Sequence, residues 1–296
     1  MLLQAAAAAA GSQQYPAGAL YVVATPIGNL ADLSLRAIHV LAMVDAVGCE
    51  DTRHSAPLLR HLGLDKPLIA LHQHNEREAS AAVIARLASG ERVAYVSDAG
   101  TPAISDPGAV LVATVQAAGY ITVVIPGASS AIAALSVSGD TAGTAFTFTG
   151  FLPSKGGERT AALQALADSA ATQVLFEAPH RIAALCASLA RACGKRVVTV
   201  CRELTKQFET VATMPADALP VWLAADANRG RGEFVLVVHA KAAEVNIDES
   251  TQHDRTLKTL LAELPLKQAV ALAAELTSAP RNALYARALV LKKEAD

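Results

Sequence analysis

From residue 20 onward, short runs of Val, Ile, Leu and Ala alternate with longer segments whose apolar positions recur every three or four residues. This is the pattern of strands joined by crossover helices. Apolar runs at 20–24, 46–49, 67–71, 92–96 and 121–125 predict strands, and 35–44, 76–88, 109–118 and 129–137 predict helices, the first capped by Ser34. The alternation breaks after a strand at 145–149, where Gly150-Phe151-Leu152-Pro153-Ser154-Lys155-Gly156-Gly157 reads as a connection. A second alternating unit follows, with strands at 173–176, 196–201 and 234–239. After a polar stretch to Asp254, Leu257, Leu260, Leu261 and Leu264 recur at helical spacing, Pro265 interrupts them, and two short amphipathic helices at 267–276 and 282–291 flank Ser278-Ala279-Pro280. The expected organisation is a flexible N-terminal tail (1–17), an α/β domain (18–149), a hinge (150–157), a second α/β domain (158–241), a linker (242–254) and a helix-turn-helix-like unit (255–296).

Composition narrows the class. With 296 residues, 52% apolar and 18% charged, the chain is long enough for two well-buried domains. A formal charge of −2 gives no global electrostatic case for nucleic acid, so an RNA surface has to be a local patch. Cys49, Cys186, Cys193 and Cys201 form no C-x-x-C pair and read as reduced thiols. His54, His72 and His74 lack a supporting ligand pattern, so no metal is expected. Ala5 to Ala10 follow no basic leader, and no apolar run is long enough to span a bilayer, which points to the cytoplasm.

The chemistry gathers where strands end. Ser97-Asp98-Ala99-Gly100-Thr101-Pro102-Ala103-Ile104-Ser105-Asp106-Pro107-Gly108 follows the run ending at Val96 and is too long for a simple turn. Its glycines let backbone approach a ligand and its aspartates accept hydrogen bonds, which suits a nucleoside-like molecule at the carboxyl edge of an α/β sheet. Thr25-Pro26-Ile27-Gly28-Asn29-Leu30, Glu50-Asp51-Thr52-Arg53-His54 and Pro126-Gly127-Ala128-Ser129-Ser130 occupy equivalent positions. In the second unit so do Glu177-Ala178-Pro179-His180-Arg181 and Arg202-Glu203-Leu204-Thr205-Lys206. Neither G-x-G-x-x-G nor a P-loop occurs, which removes support for dinucleotides and P-loop nucleotide hydrolysis.

Taken in order from residue 20 to 240, these motifs resemble the small-subunit ribosomal RNA methyltransferases of the tetrapyrrole methylase superfamily, and the terminal helices resemble that group's last segment. The resemblance implies a homodimer whose subunits each hold S-adenosylmethionine in a cleft between two α/β domains. It further implies methylation of the ribose 2′-hydroxyl of a cytidine in the decoding region of 16S ribosomal RNA, on the assembled small subunit or a late precursor. Carried onto this sequence, it points to Pro26, Asp98, Ala99, Gly100, Ile104, Ser129, Ser130, Phe151 and Leu152 as cofactor contacts, although each serine also reads as a helix cap. Two alternatives stay open: C-methylation of a tetrapyrrole precursor, and a noncatalytic S-adenosylmethionine-binding assembly factor.

A sulfonium donor needs no covalent intermediate; the protein has to align the acceptor oxygen and receive its proton. Glu50, Asp51, Glu177 and Glu203, or a neutralised Lys155 or Lys206, suit that role, with Glu177 and then Lys155 preferred. Arg53, Arg159, Arg181, Arg202 and Lys206 are the candidate RNA contacts, each also able to pair with an acidic neighbour.

Overall fold

The computed structural model describes residues 1–72, 75–241 and 253–295. They fall into two compact units, Met1–Ala240 and Lys241–Asp296.

The first unit holds two sheets. Strands β1 (Ala19–Val23), β2 (Ala46–Cys49), β3 (Leu68–Ala70), β4 (Val93–Val96) and β5 (Ile121–Ile125) form an all-parallel sheet in the order β3-β2-β4-β1-β5. β2 and β4 are buried at every position, as expected for central strands covered on both faces. Six helices belong to this lobe: α1 (Leu2–Ala10), α2 (Leu35–Met43), α3 (Thr52–His61), α4 (Glu76–Ala88), α5 (Ala109–Ala117) and α6 (Ser130–Ser138). Ser34 accepts the Ala37 N–H and starts α2, which buries Ala37, Ile38, Val40 and Leu41 against one face of the sheet. Val83 and Leu87 of α4 with Leu111 and Val115 of α5 cover the other face.

The alanine-rich start differs from the expected tail. It is helical, and Ala6, fully buried, joins the core formed by Ala37, Ile38 and Leu41. Small side chains let the two helices approach closely.

The second sheet contains β6 (Phe146–Phe151), β7 (Thr172–Glu177), β8 (Val197–Arg202), β9 (Thr210–Pro215) and β10 (Phe234–Val238), in the order β6-β7-β10-β8-β9. Only β6 and β7 are parallel; β10 lies antiparallel between β7 and β8. Helices α7 (Gly156–Asp168), α8 (Ile182–Cys193) and α9 (Leu219–Ala224) cover one face. The other face receives α6, whose Ala131 and Ala134 pack with Val174, Cys201, Val235 and Val237. One helix thus joins the two lobes, and α7 begins inside the stretch expected to be hinge.

Two half-buried polar centres fix the far end of this sheet. Arg196 donates to the carbonyls of His239 (2.6 Å), Leu166 (3.0 Å), Ser169 (2.9 Å) and Ala171 (2.9 Å). Asp140, in the connection between lobes, accepts from Thr172 Oγ1 (2.6 Å) and the Ala240 N–H (2.8 Å). His239 Nε2 lies 2.8 Å from Thr199 Oγ1.

The second unit packs α10 (Asp254–Glu263), α11 (Leu266–Thr277) and α12 (Arg281–Ala295) around Leu257, Val270, Ala273, Leu284, Ala288 and Leu291. Arg287 clasps Asp254 through Nε (2.8 Å) and Nη2 (2.6 Å). The expected linker lies largely outside the described residues. Among those described, no helix is long and apolar enough to cross a membrane.

Candidate active site

Loops from the carboxyl ends of β1, β4 and β5 are braced together. The Thr25 N–H donates to Gly100 O (2.9 Å), the Gly100 N–H returns to Thr25 O (3.1 Å), and Thr101 Oγ1 donates to Ala128 O (3.0 Å). At the end of the long β4 loop, Glu76 Oε1 accepts the N–H groups of Gly108 (2.8 Å), Val110 (3.1 Å) and Leu111 (3.2 Å), supplying from α4 the cap that α5 lacks.

Facing these loops across the first unit are the ends of β6, β7 and β8 and the start of β10. Between them lies a cleft of about 400 Å³. Ala99, Gly100, Ile104, Ser129 and Ser130 line it from the first lobe; Phe151, Glu177, Leu204 and Val235 line it from the second. Ile104 and Phe151 are apolar yet 55% and 54% exposed, which leaves them available to cover a ligand. Ser129 sits at the start of α6 but makes no side-chain capping bond, so the capping alternative does not account for it. Glu177 is 3% exposed. Its Oε1 accepts from the Ala178 N–H (2.9 Å) and Arg181 Nε (3.0 Å), whereas its buried Oε2 has no partner among the described residues. A buried carboxylate oxygen left unsatisfied on a cavity wall is set up for a donor from outside the chain.

A second hollow, of about 490 Å³, adjoins the first and shares Ile27, Ala99 and Glu233 with it. Pro26 and Asp98 line this one and not the first. Asp98 Oδ2 lies 2.8 Å from His54 Nδ1, and its Oδ1 accepts the Asp51 N–H (3.1 Å). Asp51 caps α3 by accepting the Arg53 N–H (2.8 Å); hydrogen bonds from Arg53 pull its carboxyl down to about 2. Hydrogen bonding and attraction to Asp98 raise the His54 imidazole above its ordinary value. Burial, with Asp106, Asp98 and Asp51 nearby, raises Glu50, and burial with the charge of Asp98 raises Asp106.

The loop after β8 closes this second hollow. Lys206 Nζ bridges Glu203 Oε1 and Glu233 Oε2, each at 3.0 Å. Although burial lowers the Lys206 ammonium, these carboxylates outweigh it and hold it above its usual value, so a neutral Lys206 base is overturned. Glu203 and Thr205 take positive φ (52° and 65°), bending the loop until Lys206 rests against Gly28; a Cβ there would lie 2.5 Å from Lys206 Cγ.

The remaining expected residues separate by what they touch. Leu152 is buried in the core of the second lobe, and its carbonyl accepts from Arg181. Lys155 is exposed at the start of α7 and lines neither hollow. Arg202 does not reach the surface as an RNA contact would: it is 9% exposed and donates to Arg231 O (2.6 Å) and Phe208 O (3.0 Å). A guanidinium spent on loop carbonyls is a structural tie. Arg159 donates to Pro153 O (3.0 Å), Arg181 holds Glu177, and Arg53 projects into solvent beside Asp51. His54 is the site residue whose chemistry the sequence did not reveal; 44 residues separate it from Asp98. Among the described residues no group of at least three His, Cys, Asp or Glu side chains is arranged to hold a metal, and His74 lies outside them.

Residues 19–220 match the family profile of Tetrapyrrole (Corrin/Porphyrin) Methylases, and 248–292 match the RsmI C-terminal HTH domain. The chain is 48% identical over 275 residues to the Ribosomal RNA small subunit methyltransferase I of Pseudomonas aeruginosa, covering 92% of this chain and 97% of that protein. It is 45% identical over 275 residues to the protein of that name from Escherichia coli O157:H7, covering 92% and 95%. Among solved structures, diphthine synthase matches with a TM-score of 0.58 at 19% identity, covering 75% of this chain and 90% of that one. The cobalt precorrin-4 methyltransferase matches with 0.55 at 18%, covering 76% and 98%. At such identities the structural likeness concerns the fold alone.

Proposed function

The chain belongs to the Tetrapyrrole (Corrin/Porphyrin) Methylases, within the ribosomal RNA small subunit methyltransferase I group, and from that premise we propose that it methylates small-subunit ribosomal RNA with S-adenosylmethionine as donor. The acceptor in this reading is the 2′-hydroxyl of a cytidine in the decoding region, on the assembled 30S particle or a late precursor, in the cytoplasm.

The observation that carries the reading is the cleft between the lobes. Its size suits a nucleoside-bearing ligand, and it joins exposed apolar side chains, closely approachable backbone and one unsatisfied carboxylate oxygen. Ile104 and Phe151 would cover the adenine and thioether parts, with Ala99 and Gly100 meeting the donor through backbone. Ser129, Ser130 and the amides opening α6 would hold its polar end. Glu177 Oε2 would accept from a donor hydroxyl or ammonium; since Arg181 holds the opposite oxygen, a binding role suits Glu177 better than its expected role as base. Pro26 and Asp98 would act from the adjoining hollow, and Leu152 from beneath through Arg181. Bound there, S-adenosylmethionine supplies a methyl group made electrophilic by its sulfonium.

Arg53 and Lys155, both exposed, are the basic residues we assign to RNA phosphate, and we take residues 18–149 and 158–241 as the two catalytic domains. The dimer implied by the resemblance has support in the edge strand β5, which leaves Ile121 and Val124 55% and 65% exposed. The test is transfer of a labelled methyl group to unmethylated small subunits, with ribose methylation mapped at nucleotide resolution. One new mark at a decoding-region cytidine is expected. Transfer to a tetrapyrrole precursor instead, or donor binding without any transfer, would overturn the assignment.

A further inference from the structure

We infer that His54, oriented by Asp98, is the group that receives the proton of the acceptor hydroxyl, and that the second hollow is where the acceptor nucleotide enters. The inference rests on the methyl-transfer reading above and adds to it the identity of the base and the place of the acceptor.

Position comes first. His54 lies in the opening turn of α3, which Asp51 caps, and the His54 N–H itself donates to Asp51 O (3.1 Å). Asp98 reaches it from the end of β4, held at its other oxygen by the Asp51 N–H. With Nδ1–H donating to this carboxylate, the ring carries its lone pair on Nε2, and among the described residues no side chain or carbonyl occupies that nitrogen. The ring lines the second hollow, which meets the donor cleft at Ile27, Ala99 and Glu233. An acceptor seated there therefore has the base on one side and the proposed donor cleft on the other.

The competing groups are each committed elsewhere. Glu50 lines a separate recess, Asp106 lines that recess and the donor cleft, and neither lines this hollow. Glu177 lies in the donor cleft with one oxygen on Arg181, and Lys206 is kept protonated between Glu203 and Glu233. His61 also faces the hollow, but among the described residues no carboxylate holds its ring to fix the tautomer. The titratable and charged groups around His54 are Asp98, Asp51 and Glu50, which favour its charged form, Arg53, which opposes it, and Lys206, Glu233 and His61 across the hollow.

The step balances without a further reagent. The hydroxyl proton passes to His54 Nε2 while the hydroxyl oxygen uses its electron pair to form the new O–C bond. The C–S bond breaks with its pair staying on sulfur, leaving a neutral thioether, and the imidazolium returns its proton to water. Asp98 acts here as a positioning residue.

Single-turnover methyl transfer to unmethylated small subunits, followed across neutral pH, tests this. Wild-type protein should gain rate with rising pH through a midpoint above 6.5, because Asp98 raises the imidazole. His54→Gln should bind S-adenosylmethionine in calorimetry as wild type does, react about 100-fold more slowly, and lose that limb of the profile. Imidazole added to His54→Ala should restore part of the rate. Nitrogen-15 spectra should show the Nδ1–H tautomer for His54, with a titration midpoint that falls in Asp98→Asn. A His54→Gln rate within about threefold of wild type, or an unchanged pH limb, would overturn the assignment. Failure of the wild-type protein to bind S-adenosylmethionine at all would instead bring down the parent reading.

Discussion

Gly108 is the point at which the cleft-lining loop after β4 depends on a single missing methyl group. It has φ of +126°, and a Cβ added there would lie 2.4 Å from Cε1 of Tyr95 and 3.2 Å from Cδ1 and Cζ. The Tyr95 ring is fully buried and its hydroxyl donates to Pro107 O (2.8 Å), so it cannot swing away without losing that bond. Two costs add in Gly108→Ala: about 1–2 kcal/mol for placing a side chain at positive φ, and about 1–3 kcal/mol for forcing atoms into a packed core. The sum, roughly 2–5 kcal/mol, is a large share of a typical folding stability. At about 2–4 °C per kcal/mol it lowers the melting midpoint by roughly 4–20 °C. Gly90→Ala separates the two contributions, because Gly90 has φ of +83° but nothing within 4 Å of the added methyl. Thermal and urea unfolding of both variants, with calorimetric S-adenosylmethionine binding on Gly108→Ala, forms the assay. Gly108→Ala should lose clearly more stability than Gly90→Ala and bind the donor more weakly, since Glu76 can no longer hold the same three amides. Equal losses in the two variants would refute the clash.

Arg202→Met should lower stability by about 2–4 kcal/mol in urea denaturation, because two loop carbonyls lose a buried charged donor; unchanged stability with weakened small-subunit binding would restore Arg202 as an RNA contact. Burial lowers the His239 imidazole below 6.5, despite opposition from Asp140, so its contribution is complete above that pH and is lost as pH falls from 6.5 toward the folded value. The urea midpoint should therefore decline just below pH 6.5, and less steeply in His239→Gln; identical slopes would contradict this.

All the strands except β9 were legible because parallel and central strands appear as bare apolar runs, such as Val93-Ala94-Tyr95-Val96. β9 was not legible as such a run: Thr210 to Pro215 alternate between half-buried and exposed positions, the mark of an edge strand. Thr52 to His61 carries Pro57 and many polar groups, so its helicity depends on the Asp51 cap more than on periodicity. α7 opens on Gly156-Gly157, which reads as loop. At the site, Ala99, Gly100, Ile104, Ser129, Ser130 and Phe151, to which the family resemblance pointed, line one cleft. Where a guanidinium points is a tertiary matter, and Arg202 turned inward. The pairing of His54 with Asp98 depends on β2 and β4 being neighbours in the sheet, which no local pattern announces.

The position of β10 bears on how the molecule is made. The first sheet has all its strands once Ile125 has emerged from the translating ribosome, but β7 and β8 have no common partner until Phe234 to Val238 arrive to fill the gap between them. Vectorial synthesis therefore delivers a finished half beside one with two open strand edges. A product truncated shortly before Phe234 would keep those edges permanently bare and belongs among the fragments that aggregate.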